Sequence, residues 1–139
     1  MRVLLLLLAA LLSLPASALE KVTLQLKWKH QFQFAGYYAA QEKGYYREAG
    51  LDVSIVEAGP ETDPVREVLD GRAQFGVSNS ALLLARAQGK PVVALAVIFQ
   101  HSPFILAARR DEGIRTVHDL VGKRLMIEPH ADEIFAYLR

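Results

Sequence analysis

The sequence predicts an α/β fold built on a mostly parallel sheet with helices on both faces. Segments with strand patterns alternate along the chain with segments that carry helix signals, which is typical of parallel sheets. The connections between these segments are short, as in compact α/β domains. The predicted strands cover residues 22–28, 51–56, 74–77, 92–99, 104–108 and 124–127.

Two kinds of signal predict the elements of the first half: apolar residues at alternating positions predict strands, and residues typical of helix starts predict helices. Residues 22–28 and 51–56 carry apolar side chains at every second position, which predicts strands with one buried face. A helix rich in aromatic and alanine residues is predicted over 34–42. Asp63 followed by Pro64 predicts the start of another helix, because aspartate caps helices and proline fits the first helical position.

The middle of the chain combines a capped helix with a long apolar run. Ser78 or Asn79 can cap a helix predicted over residues 80–88. The leucine run at 82–84 is apolar on more than one face, so we expect this helix to be well buried. Residues 92–99 are apolar almost throughout, as expected for a strand that is covered on both faces of the sheet.

Local signals place the last elements. Thr116, with Asp119 three residues later, resembles a capping box for a one-turn helix. Residues 104–108 and 124–127 are predicted to be strands, and residues 132–139 are predicted to begin a helix.

The first 18 residues have the pattern of a secretory signal peptide. Arg2 is followed by an apolar run over 3–12, then by Pro15 and an A-S-A triplet that ends at Ala18. This run is shorter than the roughly 20 residues that a membrane-spanning helix needs. We therefore expect a leader over 1–18, a mature domain over 19–139, and a periplasmic location.

The composition of the predicted mature chain excludes several classes of function. Without Arg2 it carries 15 basic and 15 acidic residues, and no basic patch indicates a nucleic-acid partner. The chain has no cysteine, which excludes thiol catalysis, iron–sulfur clusters and cysteine-based zinc sites. No second apolar stretch predicts a membrane span, and the four histidines lack a metal-ligand spacing.

A ligand site is predicted where strands end, because open parallel sheets bind ligands at the carboxyl ends of their strands. The segments concerned are 28–34, 78–80, 100–102 and 128–131. The candidate ligand-binding residues are Trp28, Phe34, Tyr37, Ser78, Asn79, Gln100, His101 and Ser102. The aromatic members suit stacking on a ring, and the polar members suit hydrogen bonds to its edge. Phe34 and Tyr37 have a second interpretation, as core residues of the predicted helix.

Residues 24–53 (LQLKWKHQFQFAGYYAAQEKGYYREAGLDV) resemble the opening of the periplasmic solute-binding proteins for thiamine pyrimidine precursors. That group is related to the sulfonate, nitrate and taurine binding proteins and to the yeast thiamine pyrimidine synthase. The similarity continues through residues 70–80, 89–103 and 119–125, and so covers nearly all of the predicted mature chain.

The resemblance implies a lobe of the periplasmic-binding-protein (type II) fold. Proteins of that group close two α/β lobes over a ligand, and residues 19–139 correspond to the first lobe with the second one missing. The implied function is binding of a small heteroaromatic solute, most closely a thiamine pyrimidine precursor, without a cofactor. The implied partners are an ABC permease or a fused sensor or kinase module.

The same resemblance carries an enzymatic alternative, a thiamine pyrimidine synthase. Those enzymes anchor pyridoxal phosphate on a lysine and consume a nearby histidine, and the two positions fall here on Ser78 and Leu82. A serine cannot form the Schiff base and a leucine cannot donate imidazole atoms, so we expect no enzymatic activity. A third interpretation is a fragment without independent activity.

Overall fold

A computed structural model describes residues 18–128 and 131–138. The strands are β1 (Glu20–Gln25), β2 (Leu51–Val56) and β3 (Phe75–Gly76). The α-helices are α1 (Ala35–Glu42), α2 (Tyr45–Glu48), α3 (Pro64–Leu69), α4 (Ala81–Ala87) and α5 (Asp132–Tyr137). Single 3₁₀ turns lie at Phe32–Phe34, Arg110–Glu112 and Val117–Leu120. In the described part of the chain, no helix has the length and apolar character needed to cross a bilayer.

The three strands form one parallel sheet in the order β2-β1-β3. β1 pairs with β2 along its whole length, from Glu20 opposite Leu51 to Gln25 opposite Val56. β3 pairs with the end of β1 through two residues only. The predicted fold class, α/β with a parallel sheet, is confirmed. The strand predicted at 51–56 has the observed bounds, whereas the first strand covers Glu20–Gln25 and not 22–28, with a bend beginning at Lys27.

The core lies on β1 and β2. Val22, Leu24 and Val53 form a buried cluster, which is covered by half-buried apolar side chains from the helices and the strand ends. Those covering residues are Tyr37, Tyr46, Leu51, Ile55 and Val77. Leu26, just beyond β1, is fully buried.

Side-chain caps set the helix starts that the sequence predicted. The Asp63 carboxylate accepts a hydrogen bond from the Val65 backbone N–H at 2.9 Å, with Pro64 at the first position of α3. Of the two predicted candidates at the start of α4, Asn79 accepts a hydrogen bond from the Ala81 N–H at 3.0 Å through its Oδ1, and it directly precedes the N-cap residue Ser80. The capping box of Thr116 and Asp119 is also confirmed.

Three predicted strands are wrong. The segments 92–99, 104–108 and 124–127 have no strand pairing, and the described chain beyond Gly76 contains no strand at all. Val92 is buried, but Val93 is 71% exposed and Leu95 72%. A continuous apolar run indicates a strand only where neighbouring strands and covering helices are present, and here the sheet stops at the two-residue β3.

The burial predicted for the helix after β3 is wrong for the same reason. Leu83 is 74% exposed and Leu84 50%, while only Ala85 is buried. No strand forms at 92–99, and the two leucines lie on the surface. The predicted leader falls outside the described residues except for Ala18, which is exposed.

Candidate functional site

A cleft of about 300 Å³ opens beside the carboxyl ends of β1 and β3. Lys27 reaches it from the end of β1, and Ser78 and Asn79 reach it from the end of β3. We call it the polar cleft. The complete lining is Lys27, Thr62, Asp63, Pro64, Val65, Ser78, Asn79, Ala81, Leu84, Ala85, Gln88, Lys90 and Glu128. Two lysines and two carboxylates are included, so its charge is balanced, and none of these described lining residues is aromatic.

The strand ends beneath this cleft are held by a buried amide. Gln25 is 5% exposed, and its Nε2 donates to the backbone carbonyls of Val56 at 3.3 Å and Glu57 at 3.2 Å. Beyond the ladder, the Ala58 N–H donates to the Trp28 carbonyl at 3.0 Å. The backbone that carries Trp28 is therefore tied to the chain after β2, which gives this edge of the sheet a defined shape.

A second, shallow depression follows β1 directly. It is lined by His30, Gln31, Phe32, Ala35 and Tyr38, which together we call the aromatic shelf. The rings of His30 and Tyr38 meet edge to face with their centroids 6.0 Å apart, and His30 Nδ1 is hydrogen-bonded to the Tyr38 hydroxyl. Phe32 is 92% exposed.

Glu57 fixes one side of the aromatic shelf. Its carboxylate accepts from Lys29 Nζ at 3.0 Å and from the His30 backbone N–H at 3.3 Å. These two hydrogen bonds, the one from Lys29 first, hold the pKa of Glu57 below its ordinary value. At neutral pH the carboxylate is charged, and it stabilises the chain between Lys29 and the aromatic shelf.

Glu133 of α5 connects segments that are distant in sequence. The Ser102 hydroxyl donates to Glu133 Oε1 at 2.6 Å. Hydrogen bonds from Ser102 and then Ser80, together with the charge of Lys27, lower the pKa of Glu133. Two of the four predicted ligand-site segments, 78–80 and 100–102, thus meet around this carboxylate. Nothing local in the sequence signals a contact between residues 102 and 133.

The predicted aromatic residues line neither of the two depressions. Trp28 is half-buried and is not among the residues that line the polar cleft or the aromatic shelf. Phe34 is 3% exposed, and Tyr37 packs against the core cluster, where burial raises the pKa of its hydroxyl. Phe34 and Tyr37 therefore have the positions that the core interpretation predicted. Their contact with a ligand stays a prediction.

The predicted polar residues lie in three different places. Ser78 and Asn79 lie together in the polar cleft. Gln100 and His101 are exposed, and Gln100 Nε2 donates to the Val97 carbonyl at 3.4 Å, so the structure does not bring them into that cleft. Ser102 lies beside Glu133 of α5, to which its hydroxyl donates a hydrogen bond. Within residues 18–128 and 131–138, no three acidic or histidine side chains are placed to hold a metal ion, and His130 lies outside those ranges.

Comparison with known proteins assigns the family. Residues 31–136 match the family described as NMT1/THI5 like. The chain is 32% identical to the riboflavin-binding protein RibY of Chloroflexus aurantiacus over 84% of this chain and 34% of that protein. It is 31% identical to the 4-amino-5-hydroxymethyl-2-methylpyrimidine phosphate synthase of Legionella pneumophila, over 79% of this chain and 35% of the enzyme.

A second binding protein shows a similar degree of sequence identity. The formylaminopyrimidine-binding protein of Halalkalibacterium halodurans is 32% identical over 76% of this chain and 32% of its own length. The chain thus spans about a third of the length of these curated relatives. The match over residues 31–136 includes the aromatic shelf except His30, strands β2 and β3, and the loop that carries Ser78 and Asn79. The chain belongs to the NMT1/THI5-like family.

Proposed function

We propose that this chain forms one wall of the ligand site of a solute-binding protein, and that the solute is a small heteroaromatic compound, most closely a thiamine pyrimidine precursor. The observation that carries the proposal is the polar cleft, where Lys27, Ser78 and Asn79 meet at the carboxyl ends of two adjacent strands. This is the edge where open parallel sheets bind ligands. Two relatives with a ring compound in their printed names are binding proteins, which favours binding as the function.

The chemistry of the polar cleft suits the edge of an aminopyrimidine. A serine hydroxyl both donates and accepts, so Ser78 matches either a ring nitrogen or an exocyclic amine. The hydrogen bond from the Ala81 N–H to Asn79 Oδ1 sets the orientation of that amide. Lys27 adds a cationic donor for an oxygen or phosphate substituent.

The cellular setting is part of the same proposal. The leader pattern over residues 1–18 supports export to the periplasm. There the protein would pass its solute to an ABC permease or report it to a fused sensor module. Closure over the ligand by a second lobe supplies the opposite wall in either case.

A pyrimidine synthase is the alternative, favoured by the similarity to the Legionella enzyme. The residues of this chain do not fit it. The resemblance places Ser78 and Leu82 where the synthases carry a lysine and a histidine, and neither side chain can replace the one it stands for. We therefore propose binding without chemical change.

Calorimetric titration of the product of the complete gene tests the proposal. We expect heat with hydroxymethyl-aminopyrimidine or thiamine and none with taurine, which has no ring. Ser78→Ala should weaken binding by roughly 2- to 10-fold, the range expected for one neutral hydrogen bond. Ser54→Ala, an exposed serine on β2, is the matched control.

Two results would contradict the proposal. Absence of binding to any ring compound would remove the solute-binding function. A Schiff-base absorbance after addition of stoichiometric pyridoxal phosphate would show that a lysine of this protein holds that cofactor, in favour of the synthase.

A further inference from the structure

The polar cleft and the aromatic shelf have complementary chemistry. The polar cleft has hydrogen-bonding and charged side chains, and no aromatic ring among its described lining residues. The aromatic shelf has the rings of His30, Phe32 and Tyr38 around Ala35. We propose that the aromatic shelf is a second ligand subsite, in which the exposed face of Phe32 stacks on the planar ring of the solute. This inference rests on the proposed function and adds the residue that recognises the ring.

The exposure of Phe32 is the first observation that carries the proposal. Phe32 and Phe34 belong to the same 3₁₀ turn, which the Phe34 N–H closes on the Gln31 carbonyl at 3.0 Å. Each residue of such a turn rotates by about a third of a circle, so side chains two positions apart face different directions. Phe34 is 3% exposed and Phe32 92%, and the turn therefore buries one ring while presenting the other.

The fixed position of the neighbouring rings is the second observation. The edge-to-face contact at 6.0 Å and the hydrogen bond between His30 and Tyr38 hold both rings in place. Glu57 holds the His30 backbone N–H at 3.3 Å and is itself bound by Lys29 at 3.0 Å. Fewer side chains then need to be ordered when a ring enters, and pre-organisation of this kind increases affinity.

The size of the aromatic shelf argues for a small ring as its occupant. Five residues line it, whereas a stable protein interface takes roughly 20–30 residues from each partner. The charged residues beside it, Lys29 and Glu57, neutralise each other, so no net charge attracts a charged protein surface. A planar heteroaromatic ring matches both the dimensions and the apolar, aromatic lining.

Titration of Phe32 variants in the product of the complete gene tests the subsite. With hydroxymethyl-aminopyrimidine as the probe, Phe32→Ala should raise the Kd by about 10-fold or more, within the range that alanine substitution shows for base stacking. Phe32→Tyr keeps an aromatic face and should bind within about 3-fold of the unchanged protein. Tyr45→Ala removes another exposed aromatic ring, 55% exposed on α2, and should leave the Kd unchanged.

Saturation-transfer NMR on the unchanged protein gives a readout that does not depend on variants. Magnetisation should pass between the Phe32 ring protons and the pyrimidine protons. Equal affinity of Phe32→Ala and the unchanged protein would overturn the subsite while leaving the proposed function intact. Self-association that Phe32→Ala abolishes, without any change in Kd, would likewise overturn it and identify the aromatic shelf as an interface between copies. Absence of pyrimidine binding by the unchanged protein would overturn the proposed function, and the subsite with it.

Discussion

The first and last parts of this chain are both rich in apolar residues, but the first part buries many more of them. Residues 18–92 contain all three strands and the core cluster of Val22, Leu24 and Val53. In residues 93–128 and 131–138, the described large apolar side chains lie mostly at the surface. Leu95 is 72% exposed, Ile98 71% and Met126 102%, and Ala131 is the buried apolar residue of this part.

The difference shows that apolar character specifies burial only where a partner surface is available. β1 gains a full-length partner in β2, and the helix residues Tyr37 and Tyr46 cover the resulting face. The run at 93–99 meets neither a strand partner nor a covering helix in the described chain.

The same substitution in the two parts should have very different costs. Leu26 is fully buried, so Leu26→Ala removes buried methyl groups and leaves a cavity, which typically costs about 2–5 kcal/mol. Leu95 is 72% exposed, and Leu95→Ala should change the free energy of unfolding by less than about 0.5 kcal/mol. Urea unfolding of both variants measures the contrast. A loss of more than about 2 kcal/mol from Leu95→Ala would show that the second part is packed in solution.

Two glycines in the first part should respond with opposite signs to replacement by alanine. A Cβ at Gly76 would lie 3.1 Å from the Pro64 carbonyl oxygen and 3.3 Å from Val68 Cγ2, where β3 approaches α3 closely. Gly76→Ala should therefore destabilise the fold by about 1–3 kcal/mol. Gly36 in α1 has open space around it, so Gly36→Ala should stabilise by roughly 0.5–1 kcal/mol. Equal effects in thermal unfolding would contradict the close approach of β3 and α3.

The smallest effect concerns two carboxylates whose lowered pKa values have different causes. Arg72 lowers the pKa of Glu67 in the first part, whereas the hydroxyls of Ser102 and Ser80 are the main cause for Glu133 in the second. Both groups have a pKa below the ordinary value of 4.5, so each stabilises the fold above that pH. That contribution is lost as the pH falls through the lowered value.

Carboxyl NMR titration at low and high salt distinguishes the two causes. At about 1 M salt the screening length falls to roughly 3 Å, which weakens the exposed ion pair of Glu67 with Arg72. The pKa of Glu67 should then rise toward its ordinary value by more than that of Glu133, because hydrogen bonds from neutral hydroxyls are screened less. A larger salt-dependent rise for Glu133 would mean that Lys27, and not the hydroxyls, dominates its environment.

The predictions that the structure confirms depend on residues that are close together in the sequence. The cap at Asp63 and Pro64, the Asn79 hydrogen bond at the start of α4 and the box of Thr116 and Asp119 each depend on residues within three positions of one another. The alternation at 51–56 predicted a strand with the observed bounds because one face of β2 packs on the core. The same local evidence predicted a strand at 92–99, where the outcome depended on distant partners.

The candidate site shows the same division. Ser78 and Asn79 were predicted as site residues because they follow a strand of a parallel sheet, and both line the polar cleft. The position of a residue after a strand does not show which ring of the 3₁₀ turn faces outward. The sequence therefore predicts Phe34 as a ligand-binding residue, whereas the exposed ring is that of Phe32. Glu133 was also missed as a partner of Ser102, because a hydrogen bond across 31 positions leaves no local pattern.

The fold class, the helix caps and the strand end that carries the polar cleft can be predicted from the sequence, because they depend on periodicity and on hydrogen bonds between residues close together in the chain. The family follows from the similarity of the sequence to known proteins. Only the folded structure shows where the sheet stops, which aromatic ring remains exposed and which segments Glu133 brings together. Burial and long-range contacts each require two segments that pack against one another, and the sequence of one segment does not show which other segment it will contact.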